Sequence, residues 1–356
     1  MTVCMIAAKR TIVAPKGGAL MRFSIHALAA PVIRAVLRDA GLRPDEVDEV
    51  ILSNALGGGG NPARLAALAA GLPERVAGLT IDRQCSGGLD AIGLGIAMIA
   101  AGQARVVIAG GAESYSRRPI RLRTDPDGGA AVAYDRPPFS PWPDRDPELA
   151  DAADQLCIPR EVQDAWAINS HAKAWAHRNA ISGEIVSVSE EVHDSFTRRL
   201  APRIVARAPV ISGTITAANT AVAADGAGFC LMVAADHPAA RQGVILERFK
   251  SIGADPAMPG LAPVAAIRAV ATSQIDQAEI MEAYAAQAIA CIQGAGLDPN
   301  IVNMRGGALA RGHPIGASGA ILAVRLFHDL RGTAKTGIAA IAAAGGIGSA
   351  LLVRGF

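Results

Sequence analysis

No stretch of this 356-residue chain reaches the ~20 consecutive apolar residues that a membrane span requires. The longest apolar runs, such as Ile92 to Ala101, are rich in Ala and Gly and interrupted. The start, Met1 to Arg10, has neither the charged beginning nor the apolar block of a signal peptide, so a cytoplasmic location is expected. An excess of one charge is also missing. Lys and Arg number 34 against 32 Asp and Glu, a formal +2. That is too small to point to nucleic acid or an anionic membrane, although it leaves room for a local basic patch facing a phosphorylated ligand. Five cysteines (Cys4, Cys85, Cys157, Cys230, Cys291) lack the paired spacing of a disulfide framework or a zinc site, so no metal is expected. What is present is a hydrophobic content of 51%, enough for a large core, in a length that suggests about two domains' worth of structure.

Four of the cysteines read as small buried hydrophobes. Cys85 differs through its neighbours. It follows a strand-like stretch, Gly78 to Asp82, and precedes Ser86-Gly87-Gly88, after which Leu89, Ile92, Ile96 and Ile99 recur at helical spacing. A strand-to-helix turn puts the free N–H groups and positive end of a helix beside the thiol, which favours a thiolate. The local sequence alone is equally compatible with a glycine turn holding an inert cysteine.

The same unit recurs. Arg105 to Ser114 and Gly337 to Ser349 both read as a buried strand running into a glycine turn. The Cys85 turn with its helix has a counterpart in Arg311-Gly312-His313-Pro314-Ile315-Gly316-Ala317-Ser318-Gly319 and the apolar run from Ala320 to Phe327. Helical patterns at Leu28 to Ala40 and Asp276 to Gln293 also correspond. Two α/β halves of this kind, each supplying a glycine turn to a shared crevice, would bring Cys85 and His313 together. Between them Arg117 to Asp146, rich in Pro, Arg, Asp and Gly, reads as loop, and Arg160 to Asn179 as helix. The expected division is 1–114 with 211–236 as the first half, 115–210 as an inserted loop domain covering the crevice, and 237–356 as the second half.

These motifs resemble the thiolase superfamily, and acetyl-CoA acetyltransferase-like proteins within it, over almost the whole chain. Besides the Cys85 and His313 strings, Gly60 to Arg64, Gly213 to Asn219, Asp225 to Ala227 and Glu282 to Gln287 are similar to family segments. The resemblance implies an α/β thiolase fold of two βαβαββ halves in five layers, α-β-α-β-α. It implies a Cys85 nucleophile activated by His313, an acyl-enzyme formed from acyl-CoA or acetyl-CoA, and no bound cofactor. It also implies an oxyanion site from the backbone N–H groups of Cys85 and Ala344.

Here the chain departs from the family. The second catalytic cysteine falls at Ala342 and the water-holding asparagine at Met281, and neither side chain transfers a proton or donates to an enolate oxygen. Glu282 and Cys291 are nearby alternatives that more readily serve helix structure. The resemblance places substrate contacts at Ala221, Met258, Pro263, Ala317 and Ser318, with Arg198, Arg199, Arg203 or Arg207 near the nucleotide or simply solvated. A serine common in the family is Ala221 here, and the family's His-Met-Gly segment is missing near Asp144 to Ala150. His193-Asp194 reads as surface.

Three functions stay open: an acyltransferase with an altered second half-reaction, a decarboxylating ketoacyl-synthase-type condensing enzyme, and a non-catalytic acyl-CoA-binding partner subunit. The resemblance further implies a homodimer or homotetramer, with the strand after the Cys85 helix as contact, and an accessory protein partner is compatible with the loss of catalytic groups.

Overall fold

The computed structural model describes residues 2–356. The first half runs β1 (Val3–Arg10), β2 (Ala14–Pro15), α1 (Ile25–Ala40), β3 (Glu49–Ser53), α2 (Pro62–Ala69), β4 (Ala77–Ile81), α3 (Gly87–Ala100) and β5 (Val106–Glu113). A middle segment holds β6 (Arg121–Arg123), β7 (Val132–Tyr134), α4 (Leu149–Asp154), α5 (Arg160–His177), α6 (Pro202–Val205), β8 (Val210–Ser212) and β9 (Ile215–Thr216). Then come β10 (Ala224–Ala234), β11 (Val244–Gly253), α7 (Ala262–Val270), β12 (Gln277–Ile280), α8 (Ala285–Ala295), α9 (Ala308–Arg311), α10 (Ile315–Leu330), β13 (Thr336–Ala343) and β14 (Ile347–Arg354).

The internal repeat is visible in strand order. In the first half the path is β3-β5-β10-β1, with β4 added at the outer edge; in the second it is β12-β13-β14-β11. Directions match as well. β3 and β5 are parallel, as are β12 and β13, and the other neighbours along the two four-strand paths are antiparallel; the added β4 is parallel to β3. The two sheets join where Val3 to Met5 pairs with Val244 to Leu246.

Burial explains the layering. Strands β5 and β10 are buried along their whole length, as strands covered on both faces must be. Their cover on one side is α1, with α2 beside it over β3 and β4, and α1 presents a stripe of Leu28, Val32, Ile33, Val36 and Leu37 at helical spacing. On the other side lie α3 and α10, which pack against both sheets and are apolar nearly all round. With α7 and α8 outside the second sheet the order is α-β-α-β-α, as the resemblance implies.

Four expectations change. Asp276 to Gln293 is not one helix: Gln277 to Ile280 is a fully buried strand paired with β13, and the helix starts at Ala285. The Arg117 to Asp146 stretch contains the β6/β7 hairpin. The strand after the Cys85 helix, β5, lies inside the sheet between β10 and β3 and cannot meet a partner; the free edge is β4, before Cys85. Finally, Cys157 is exposed, because it occupies the turn between α4 and α5 with φ 55° and has no sheet over it.

Candidate active site

Cys85 sits in a single 3-10 turn, Gln84–Ser86, between β4 and α3, and Gln84 is held at φ 52°, a left-handed conformation that non-glycine residues rarely adopt. His313 lies between α9 and α10, where its N–H donates to the Val222 carbonyl at 2.8 Å. What brings the two turns together is the crossing of α3 and α10. A Cβ on Gly88 would lie 2.7 Å from the Ala320 nitrogen, and one on Gly319 would lie 2.5 Å from the Leu89 nitrogen. Glycine at both positions lets the helices touch through their backbones near their N-termini.

His313 Nε2 is 3.1 Å from Cys85 Sγ, and His313 Nδ1 is 2.7 Å from the Ser318 hydroxyl. Ser318 has one hydroxyl proton, and it donates that proton to the Pro314 carbonyl at 3.0 Å. It must therefore accept from Nδ1–H, which leaves the Nε2 lone pair facing the thiol.

Burial lowers the His313 pKa to about 4 and raises that of Cys85 to about 12, with the negative charges of Glu113 and Asp82 adding to the latter. The expectation of a resting thiolate is thus overturned. The walls are largely apolar and among the described residues no cation contacts the sulfur, so burial outweighs the helix end and the pair rests neutral. Glu113 accepts from Asn54 Nδ2 and from the Ala55, Leu56 and Gly316 N–H groups, while burial pushes its pKa up to about 7.

A cavity of about 40 Å³ opens beside Cys85. Ala342, Ala343 and Ala344 line it from the second half, Leu149, Ala152 and Ala153 from α4, and Pro259, Gly260, Ala283, Tyr284 and Gln287 complete it. Neither the Cys85 nor the Ala344 N–H is engaged by a carbonyl of another element among the described residues. Ala344 is tolerated where the family has glycine because the left-handed positions of this loop are Gly345 and Gly346, at φ 78° and 76°.

Other anticipated residues lie elsewhere. Met281 is 1% exposed and packs in the central core with Ala308, Ala320 and Ile341, so it is not a wall of the cavity. Ala317 is buried with Val13, Ala224 and Ile321, and Ser318 is buried against His313; neither lines the cavity beside Cys85. Pro263 is buried at the start of α7, Met258 is half-buried just before it, and Ala221 is half-buried and donates its N–H to the Ala283 carbonyl. The α4 contribution was not foreseen. Its apolar spacing, Leu149, Ala152 and Ala153, is the signal that could have revealed it.

Glu282 is a fully engaged structural acceptor. It takes hydrogen bonds from Trp166 Nε1 (3.0 Å), Ser170 Oγ (2.8 Å), Asn303 Nδ2 (2.8 Å) and the Leu309 N–H (3.1 Å), tying α5 to the segment leading into His313. Cys291 is sealed inside the second half, where burial lifts its pKa to about 12. His193-Asp194 is not a surface dyad: Asp194 is buried and grips Arg10 through both oxygens at 2.7 and 3.0 Å.

The arginines divide. Arg198, Arg203 and Arg207 line an open cavity of about 590 Å³ with Leu200, Ile204 and Pro209, whereas Arg199 lies over the Trp175 ring at 5.5 Å. Among the described residues no group of metal-ligand type is assembled, and no helix is long and apolar enough to cross a membrane.

Comparison with known proteins agrees with this architecture. Residues 3–136 match the N-terminal domain of thiolase and residues 241–355 the C-terminal domain. The chain is 41% identical to the putative acetyl-CoA C-acetyltransferase YhfS of Bacillus subtilis, with 99% of each chain covered. It is 35% identical to a probable acetyl-CoA acyltransferase of Staphylococcus aureus, over 99% of this chain and 98% of the other. Among solved structures, the Bacillus anthracis acetyl-CoA acetyltransferase superposes with a TM-score of 0.91 at 32% identity, over 99% of this chain and 98% of that one. The Acat5 thiolase of Ascaris suum in complex with coenzyme A gives 0.91 at 30% identity, over 99% and 100%.

Proposed function

The chain belongs to the thiolase family and is an enzyme of that acyltransferase type, and from this premise we propose that it takes acyl groups from CoA thioesters onto Cys85 while its second half-reaction is altered. The observation that carries this reading is the Cys85–His313–Ser318 chain, with its unprotonated Nε2 directed at the thiol. As Sγ attacks a thioester or 3-keto carbonyl carbon, the thiol proton passes to Nε2 and the carbonyl oxygen becomes an oxyanion. The N–H groups of Cys85 and Ala344 are free to receive it. Expulsion of CoA, or of the acetyl-CoA carbanion, leaves a thioester on Cys85, and the proton held on His313 is returned to the leaving group.

The second half-reaction lacks its usual equipment. Ala342, in the cavity wall, offers a methyl where a thiol would move the substrate's α-proton, and Met281 is withdrawn into the core. Removal of a general base costs about 10²- to 10⁴-fold, so proton-abstracting condensation is expected to be slow. For the CoA itself, the Arg198, Arg203 and Arg207 cavity suits the phosphates. The segment from Ala217 to Ala223 runs from that cavity to a bridge with His313 and provides a path for the pantetheine arm. The inserted segment 115–210 acts as the cover, since its α4 closes the cavity. A second copy of the chain is assigned to the free edge of β4.

The test is intact-mass analysis after incubation with acetyl-CoA, acetoacetyl-CoA and malonyl-CoA. A 1:1 acyl adduct is expected on the wild-type protein and none on Cys85→Ala. Absence of any adduct would refute acyl transfer and leave a binding role. Turnover with malonyl-CoA alone would move the assignment to decarboxylating condensation.

A further inference from the structure

Behind the His313 segment lies a second cavity, of about 150 Å³, whose polar lining is Arg178, His193, Asp194, Thr197, Arg305 and Arg311. Two of its charges are already matched: Asp194 holds Arg10, and Arg305 reaches Asp329 at 2.8 Å. Arg178 and Arg311 form no ion pair among the described residues. Arg178 lies over the Trp175 ring at 4.2 Å and donates Nη1 to the Trp175 carbonyl at 2.7 Å. Arg311 is only 3% exposed, and among the described residues its guanidinium makes one hydrogen bond, from Nη1 to the Gly306 carbonyl at 2.8 Å. Beside them His193 Nδ1 is buried without a partner.

A buried guanidinium with most of its donors unused is costly unless something negative meets it. Burial lowers the Arg311 pKa accordingly; Glu279 and Asp194 offset the effect from a distance, and Arg10 and Arg325 oppose them.

The geometry points to an oxyanion site here, in which Arg178 and Arg311 hold a phosphate group and His193 adds a hydrogen bond. Two unpaired guanidiniums match the two negative charges of a phosphate near neutral pH. The volume admits phosphate or a small phosphate monoester, and it is well below the ~300 Å³ at which pockets begin to take drug-sized ligands, so a whole nucleotide is excluded. The location gives the site a consequence. Arg311 ends α9, two residues before His313, so a phosphate shared between Arg311 and Arg178 at the C-cap of α5 would brace the segment that presents the base.

The experiment uses the full-length protein without acyl-CoA, which keeps its outcome separate from that of the acyl-transfer reading. Inorganic phosphate, with sodium chloride at equal ionic strength as control, is titrated while the unfolding temperature and the ³¹P linewidth are followed. A saturable rise specific to phosphate is expected, with an affinity loss of at least about tenfold in Arg311→Met and in Arg178→Gln. Arg203→Gln/Arg207→Gln should leave it intact. Glycerol 3-phosphate in place of phosphate reports whether the site takes the free ion alone or a monoester. Arg178 is half-buried at the cavity wall, so its variant remains informative if Arg311→Met does not fold. No saturable phosphate effect, one that survives Arg178→Gln, or one lost with Arg203 and Arg207 overturns the assignment.

Discussion

At the scale of single residues the site is a neutral thiol–imidazole pair whose direction is set by one hydroxyl. Ser318 has the chemistry to hold either imidazole tautomer, but its proton is committed to Pro314, and that choice alone leaves Nε2 basic toward Cys85. The raised thiol pKa has a measurable sign. With a value near 12, Cys85 is protonated at pH 7, so alkylation of the ligand-free enzyme by iodoacetamide should accelerate close to tenfold per pH unit between pH 7 and 9 without reaching a plateau. A plateau below pH 8 would show that the thiolate is stabilised after all.

The other residue-scale prediction concerns Ala342. It lines the cavity beside Cys85, so Ala342→Cys puts a thiol next to the proposed acyl-enzyme without disturbing the core. Acetoacetyl-CoA thiolysis should rise at least about tenfold if the missing base is what limits the enzyme. Met281→Asn is a poorer test, because it would bury an amide in an apolar cluster.

At the scale of elements, the crossing of α3 and α10 decides whether there is a site at all. In an ordinary helix interior, Gly→Ala stabilises by about 1 kcal/mol. At Gly319 the added methyl would meet the Leu89 backbone nitrogen at 2.5 Å, and backbone cannot move aside as a side chain can. Overpacking of this kind costs about 1–3 kcal/mol, so the clash wins. Gly319→Ala is expected to lower the urea midpoint and, by levering α10 off α3, to slow acylation of Cys85 beyond what the stability change explains. An unchanged acylation rate in a destabilised variant would mean that the two turns are held by their loops instead.

For the whole molecule, the free margin is the outer edge of β4. Leu79 on that strand is 42% exposed, and Leu65 and Leu68 on the adjoining α2 are exposed as well. An unpaired strand edge with an apolar flank is an association surface unless it is blocked. Leu79→Lys should shift the protein toward monomer in light scattering at micromolar concentration, while a substitution of the exposed Leu122 should leave the β4 contact unaffected. A monomeric wild-type protein would remove the proposal of a second copy.

The duplicated fold and its central pair were legible in the chain because they depend on short-range patterns. Glycine turns join buried strands to apolar helices twice over, and Cys85 and His313 occupy equivalent turns. The absence of a thiol from the second glycine loop was equally plain. The sequence could not tell a buried strand from a helix over Gln277 to Ile280, since a short apolar run has no period of its own.

Nor could it give the partners of charged groups. Asp194 serves Arg10 from 184 positions away, and Glu282 collects four donors from α5 and the His313 segment. Tertiary packing alone also fixed the ionisation of the pair. The sequence places Cys85 at a helix start, which by itself argues for a thiolate. The apolar walls and the nearby Glu113 and Asp82 reverse that argument, because desolvation acts through everything that surrounds a charge.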